Sequence, residues 1–386
     1  MAKPLRTITL LSSLASSISQ PYFSFLSVVG GISGLLLGVV SSSFTTFPSL
    51  VQGTFTFLRV RAKSLIVYGY LLSGLAWVIL SFLPFGGTST LVYVLAAVGS
   101  GSSTFGYSLI MEEISRGARG RVLSQYAQYA RVGSLVATVG VGFLVGDQYS
   151  LMRWFFLATG AIYLFSSWIS LAIREEEVVV PPSQEVGEDV LRMIGVNTLF
   201  YVVWSFAWPL FPLAEVHVYH MDEVNLAFIT LIGGVSGLVL QRRIGEWMDR
   251  NRRVVMFVGR VALATFPLAY SLADNVYEIY VAYVMMGVTG PVNAIAYTSF
   301  VYDNTKNVRK AISFLSVGEG VGSIAGSLLG SLSFVALSAF LPLAVAVRSL
   351  LFLAAVMRIG ISFLYLSIHD RKEERDKRKG SEAYSV

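Results

Sequence analysis

Apolar residues in this chain come in runs of about 18 to 25, parted by short stretches of charge, glycine and proline. At 1.5 Å per residue each run, coiled as a helix, crosses a bilayer core of about 30 Å. Broken at charges and turn residues, the pattern predicts spans near 7–29, 32–57, 64–84, 89–111, 122–145, 151–172, 192–215, 224–241, 254–272, 277–301, 311–338 and 342–367. The expected fold is therefore an all-α integral membrane protein of twelve transmembrane helices.

The breaks alternate in charge. One set holds Lys3 and Arg6, then Arg59, Arg61 and Lys63, then Arg116, Arg119 and Arg121, and recurs through to the tail "RKEERDKRK". The other set, "FGGTST", "GDQYSLMR", "HVYHMDE" and "ADNVYE", holds a single arginine, Arg153. Positive loops stay on the cytoplasmic side, so both termini are expected inside, most simply at the plasma membrane, and the span count must be even. The start, "MAKPLRTITLLSSLASSIS", looks like a signal peptide, but its apolar run continues through "QPYFSFLSVVG", so an uncleaved first span is expected.

Composition narrows the function classes. Of 386 residues, 54% are hydrophobic and only 13% charged, where a soluble chain carries about a quarter charged. The basic balance sits in loops that flank spans, which points to membrane orientation and a lipid partner, not to nucleic acid. Cysteine is absent, so no disulfide framework or thiolate chemistry is expected. There is no Walker loop, no His-Glu-x-x-His and no convincing Ser-His arrangement. Neither an enzyme nor a cofactor is expected.

The chain also repeats itself. "SISQPYFSFL" from Ser17 parallels "SFAWPLFPLA" from Ser205, and "RVGSLVATVG" from Arg131 parallels "GVGSIAGSLLG" from Gly320, at offsets of 188 and 189 residues. Between the copies lies the charged, Pro181-Pro182-bearing break "REEEVVVPPSQEVGEDV". The expected organisation is a six-helix half at 1–173, a cytoplasmic linker at 174–190, a second six-helix half at 191–367 and a charged cytoplasmic tail at 368–386. Six plus six with an internal repeat is an arrangement of secondary transporters, which bind solute near the midplane between halves.

One loop carries a motif. "GEWMDRNRRV", Gly245 to Val254, resembles the signature loop of the major facilitator superfamily, Gly-x-x-x-Asp-Arg-x-Gly-Arg-Arg/Lys. Gly245, Asp249, Arg250 and Arg253 match; Arg252 replaces the inner glycine and Val254 the last base. The usual first-half copy is poor: in "GTFTFLRVRAK", Gly53 and Arg61 fit, but Phe57 and Leu58 stand at the Asp-Arg positions. The resemblance implies two pseudo-symmetric halves and a cytoplasmic gate. Gly245, Asp249, Arg250 and Arg253 would form it with Glu112 and Arg119 of the fourth span and Asp303 and Arg309 near the tenth. The bland alternative is ordinary interfacial charge.

The resemblance also implies that the second helix meets the eleventh and the fifth the eighth. Small residues every fourth position suit such contacts: Gly34, Gly38 and Ser42; Gly133 and Ala137; Gly318, Gly322, Gly326 and Gly330. By the same resemblance the first, fourth, seventh and tenth helices line the cavity. They offer Ser16, Gln20, Tyr107, Asn197, Trp204, Trp208, Asn293 and Tyr297, with Pro21, Pro209, Pro212 and Pro291 as bending points.

Few ionisable residues lie deep in spans. Arg131 and Glu319 approach mid-depth and are the candidate coupling or substrate charges, either as a proton carrier or as a structural latch. Arg348 and Arg358 are expected to be structural, and Arg260 and Glu215 lie nearer span ends. The expected function is a secondary active transporter, a monomer moving a small solute by alternating access, as efflux of an amphipathic compound or uptake of a metabolite, with protons as one candidate partner. A non-transporting sensor or scaffold is the alternative. A metal-ion transporter is a minor one, resting on Glu215, His217, His220, Asp222 and Glu223; no metal site is expected.

Overall fold

The computed structural model describes residues 2–114, 119–173, 185–305 and 307–368. Helices are the regular structure throughout: α1 (Ala2–Val29), α2 (Gly34–Thr56), α3 (Ala62–Leu80), α4 (Gly87–Ile114), α5 (Arg119–Val145), α6 (Met152–Ser170), α7 (Glu188–Phe206), α8 (Leu210–His217), α9 (Glu223–Arg250), α10 (Arg252–Ala262), α11 (Thr265–Leu272), α12 (Val276–Tyr283), α13 (Met286–Asn304), α14 (Val308–Ser338) and α15 (Leu343–Ser362). Short 3-10 turns occupy Tyr149–Leu151 and Phe363–Ser367.

Among the described residues, eight helical stretches are long and apolar enough to cross a membrane: Gly34–Thr56, Ala62–Leu80, Gly87–Met111, Glu188–His217, Glu223–Met248, Arg252–Leu272, Val308–Ser338 and Leu343–Ser367. α5 is as long as these, but its first half, "RGRVLSQYAQYAR", is polar. The bundle's outside is oily, as lipid contact requires: Phe82, Trp154, Trp168, Val239 and Val281 are all exposed. α7 starts at Glu188 behind Gly187, so the last residues of the expected 174–190 linker are already helical. Residues 174–184 and 369–386 lie outside the described residues.

Three stretches predicted as single helices are each divided in two, at α7/α8, α10/α11 and α12/α13. Proline explains the first two. Pro209 and Pro267 have no N–H to give the carbonyls four residues back, Ser205 and Leu263. The Trp208 N–H turns to Ser205 instead, at 3.0 Å, and leaves the Trp204 carbonyl without its helical donor. Both orphaned carbonyls are met by one side chain: Arg358, 1% exposed on α15, donates from Nη1 to Leu263 and from Nη2 to Trp204, each at 2.6 Å. A guanidinium buried in apolar surroundings needs acceptors, and the broken helices need donors. Arg348 is used the same way, donating to the Ala273 carbonyl at the end of α11 at 2.9 Å. The structural role expected of both arginines matches their contacts. Pro21 and Pro291, by contrast, sit inside unbroken helices.

The two halves of the chain meet along α2–α14 and α5–α9, with a smaller contact between α1 and α8. On α2, Gly34 and Gly38 face α14, and the Ser327 hydroxyl donates to the Gly38 carbonyl at 2.8 Å. On α14 the assignment of faces changes. A Cβ at Gly318, Gly322, Gly326 or Gly330 would meet Thr198, Val202, Ser205 or Phe206, so this stripe seats α14 on α7 of its own half. The contact with α2 uses Gly320, Ser327 and Ser331 instead. Gly133 likewise faces Leu10 and Leu14 of α1, and α5 approaches α9 through Gly142, next to Ala227. Spacing by four picks a helix face; it cannot say which neighbour that face meets.

A Cβ at Gly326 would lie 1.9 Å from the Val202 carbonyl oxygen, a backbone atom that cannot step aside. Gly326→Ala is therefore expected to lower thermal stability in detergent by several kcal/mol, beyond the ~1–3 kcal/mol of ordinary overpacking. Gly195→Ala, where the added methyl meets open space, should leave stability equal or higher by about 0.5–1 kcal/mol. Equal melting of the two variants would contradict the close α7–α14 contact.

Candidate functional site

In the second half, Arg260 on α10, 1% exposed, gathers polar partners from several elements. Because α10 begins at Arg252 and not at 254, Arg260 lies about 12 Å into the helix at 1.5 Å per residue. Every guanidinium nitrogen donates: Nε to the Tyr365 hydroxyl at 3.2 Å, Nη1 to Asn293 Oδ1 at 2.9 Å, and Nη2 to Asn197 Oδ1 at 2.6 Å. The Tyr365 hydroxyl donates to the same Asn197 oxygen at 2.8 Å. The guanidinium carbon also lies 4.4 Å from the Phe200 ring centre and 4.1 Å from that of Tyr297, with Tyr201 and Trp204 farther round.

Asn197 links this cation to a carboxylate. Its Nδ2 donates to Glu319 Oε1 at 3.0 Å, and the Tyr201 hydroxyl and the Arg260 charge lie close to the same carboxylate. Five elements, α7, α10, α13, α14 and the 3-10 turn after α15, are thereby tied to one charge. Hydrogen bonds to a charged group contribute about 1.5–3 kcal/mol each, set against a desolvation cost of several kcal/mol per buried ion. Such a cluster holds one geometry well and tolerates the loss of a partner poorly.

Four of the expected cavity residues, Asn197, Trp204, Asn293 and Tyr297, therefore converge, but around Arg260. Trp208 stands edge-on to Trp204 at 5.5 Å. Tyr107 shares a 2.7 Å hydrogen bond with Thr9 of α1, and Gln20 is half-buried on α1. Ser16 does line a cavity. A space of about 540 Å³ opens between the halves, walled by Ser13, Ser16 and Ser17 of α1, Ser134 and Leu135 of α5, Thr230, Gly233 and Gly234 of α9, and Tyr283, Met286 and Pro291 of α12–α13. The first and tenth spans contribute as expected. The other walls come from the fifth and eighth, where the resemblance implied the fourth and seventh.

Glu319 meets Asn197 and lies near Arg260; Arg131, the other candidate coupling charge, has a side chain outside the described residues. So have Glu112, Arg119, Asp249 and Arg250 of the expected gate. Gly245 has open space where a Cβ would stand. Asp303 pairs with Arg252, the residue that departs from the motif, whose Nη1 also donates to the Ser299 carbonyl at 3.2 Å. That ion pair joins α10 to α13 within one half. Arg253 and Arg309 are half-buried at the starts of α10 and α14. The tempting cluster near residue 220 diverges: Glu215 accepts from Tyr270 at 3.0 Å, Asp222 caps α9, and His217 is exposed. Among the described residues no three such groups are placed to share a metal ion.

Sequence reading missed Arg260 as a centre because it stood too near a predicted span end. The available signal was an arginine eight positions into an apolar helix with no charged residue three or four positions away.

Long oily helices around a buried polar cluster and an inter-half cavity define a multi-pass membrane protein with a transporter fold. A sequence profile of the Major Facilitator Superfamily matches residues 193–385, and the chain belongs to that family. No curated protein matches it by sequence. Among solved structures it is similar to the nucleoside transporter NupG, with TM-score 0.71 and 14% identity over 95% of this chain and 98% of that one. It is also similar to a POT family transporter in complex with 5-aminolevulinic acid, with TM-score 0.72 and 11% identity over 94% of this chain and 95% of that one. At these identities the likeness is one of fold.

The Arg260 cluster predicts an asymmetry between conservative variants. Arg260→Lys cannot reach three acceptors in a plane, so it should lose on the order of 3 kcal/mol of thermal stability. Glu319→Gln keeps an oxygen acceptor for Asn197 and should lose less than Glu319→Leu. Thermal unfolding in detergent measures all three; parent-like melting of Arg260→Lys would remove the cluster's structural importance.

Proposed function

We propose that the protein is a secondary active transporter of twelve spans, acting as a monomer with both termini cytoplasmic, which moves a small, weakly polar solute by alternating access. The divided helices α7–α8, α10–α11 and α12–α13 each count as one span in this reading. The observation that carries it is the cavity of about 540 Å³, walled by helices from both halves of the chain. A space shared in this way changes its exposure when the halves rock. Its lining hydroxyls are partly committed already: Ser17 donates to Ser134 at 2.6 Å, and Thr230 to the Leu226 carbonyl at 3.0 Å. What remains facing the space is chiefly apolar surface and oxygen lone pairs, which suits a solute bearing a few N–H or O–H groups.

The gate reading extends to the cytoplasmic ends. Asp249, Arg250 and Arg253 act with Glu112 and Arg119 as its charged part, while Arg252 and Asp303 brace α10 against α13 behind it. In the first half, Phe57 stands where the motif has aspartate, and its ring lies 6.3 Å from that of Phe314 on α14. Closure on that side is apolar. The Arg260–Asn197–Glu319 cluster keeps the second half one rigid body, with Glu319 as a latch to Arg260 more than as a freely titrating group. Arg131 is the substrate-facing charge. The transport step is driven by a proton gradient. Uptake and efflux both fit the cavity.

Topology and transport can be tested together in this cysteine-free chain. Ser183→Cys is expected to react with impermeant maleimide only from the cytoplasmic side, and Ser150→Cys only from outside. A melting-temperature screen against neutral metabolites and amphipathic amines then supplies a ligand for counterflow in vesicles. External labelling of Ser183→Cys would overturn the topology. Tight binding without counterflow would favour a non-transporting sensor.

A further inference from the structure

Glu223, the first residue of α9, is 0% exposed, and among the described residues neither of its carboxylate oxygens has a hydrogen-bond partner. It stands where the halves meet. A Cβ at Gly142 of α5 would fall 2.7 Å from the Glu223 carbonyl oxygen, 2.4 Å from Ala227 and 2.9 Å from the Tyr22 hydroxyl of α1. One residue on, Phe143 of α5 meets Phe228 of α9 edge-on at 5.4 Å. This seam closes the end of the bundle that carries the 146–151 and 217–222 loops.

The groups around Glu223 are all acids or phenols. Tyr22 faces it from α1, Asp147 and Tyr149 from the segment that follows α5, and Asp222 from its own helix cap. Tyr22 brings no free proton, because its hydroxyl already donates to the Thr138 carbonyl. The Asp222 carboxylate is likewise occupied, accepting the Asn225 N–H at 2.9 Å. What favours an anion here is Glu223's own backbone N–H and the positive end of the α9 dipole, the latter worth about 0.3–2 kcal/mol. Removing a carboxylate from water without a partner costs several kcal/mol. The closed seam therefore accommodates the neutral acid and rejects the anion.

We propose that Glu223 is a proton-binding site of this seam: it carries a proton while α5 and α9 are in contact, and releases it to water when they part. This rests on the alternating-access reading, and it assigns the proton to a residue outside both the cavity and the Arg260 cluster. Opening of the seam hydrates the carboxyl and lets it ionise; reclosing requires a proton from the same side. The seam thus closes only after a proton has been taken up, so closure at this end of the bundle follows the pH of the side it faces.

Spin labels at Ser150→Cys and Phe340→Cys, both exposed and on loops of opposite halves at this end, report seam opening without knowledge of the solute. In reconstituted vesicles the short, closed-seam distance should dominate at about pH 5 and give way as pH rises through the carboxylate range, by up to about tenfold per pH unit. Glu223→Gln, a mimic of the neutral acid, should hold the short distance at every pH, and Glu223→Asp should keep a pH response. If Glu223→Gln opens with pH as the parent does, Glu223 is not the site, although alternating access stands. A response to sodium at fixed pH in place of the pH response also overturns the assignment. A single unchanging distance in the parent and both variants sinks the alternating-access reading and this proposal with it. Failure of Glu223→Gln to fold would count against the proposal too, since a neutral side chain is what the closed seam must accept.

Discussion

Inside a bilayer the backbone has no water to turn to, and every N–H and C=O must find its partner within the protein. That constraint governs this molecule. It makes the chain helical, and it makes each break in a helix a debt that some side chain must settle. Pro209 and Pro267 create two such breaks, and Arg358 from another helix donates to a carbonyl left open at each, Trp204 and Leu263. Serine and threonine hydroxyls do the same on a smaller scale, returning to carbonyls three or four residues back, as Ser42 does to Gly38 and Ser205 to Tyr201.

The same scarcity of solvent sets the use of charge. Arg260 is caged by amides, hydroxyls and aromatic faces until each of its three nitrogens has an acceptor, and Glu319 shares the cage through Asn197. This ties α7, α10, α13 and α14 together. The contacts between halves are of another kind: Gly38 against Ser327, Gly142 against Ala227, Phe57 against Phe314. They are close but mostly uncharged, and surfaces of that kind separate without stranding an ion. A second half tied together around one charge and joined to the first by mostly uncharged seams agrees with the proposed rocking about a shared cavity.

The motif loop shows how far family likeness reaches. Its departure, Arg252 for glycine, is the residue that pairs with Asp303. At the glycine position this chain thus has a brace between α10 and α13. The poor first-half copy, with Phe57 at the motif's aspartate position, makes an aromatic contact with Phe314. Both differences were visible as mismatches in the sequence, but their meaning depended on what stood opposite.

What the sequence determined by itself is everything governed by the local run of residues. Apolar length set where helices lie, proline marked two of the three places where they divide, and small residues every fourth position marked faces for close packing. The paired sequence echoes and the signature loop pointed to the family. Tertiary structure alone decided which faces meet. It turned the Gly318–Gly330 stripe toward α7, gathered Asn197, Asn293 and Tyr297 around an arginine that had looked peripheral, and left Glu223 buried against α5 with no side-chain partner among the described residues. The physical reason is that helix periodicity is a property of neighbours in sequence. The partner of a buried charge is chosen by packing among helices whose residues can be more than a hundred positions apart.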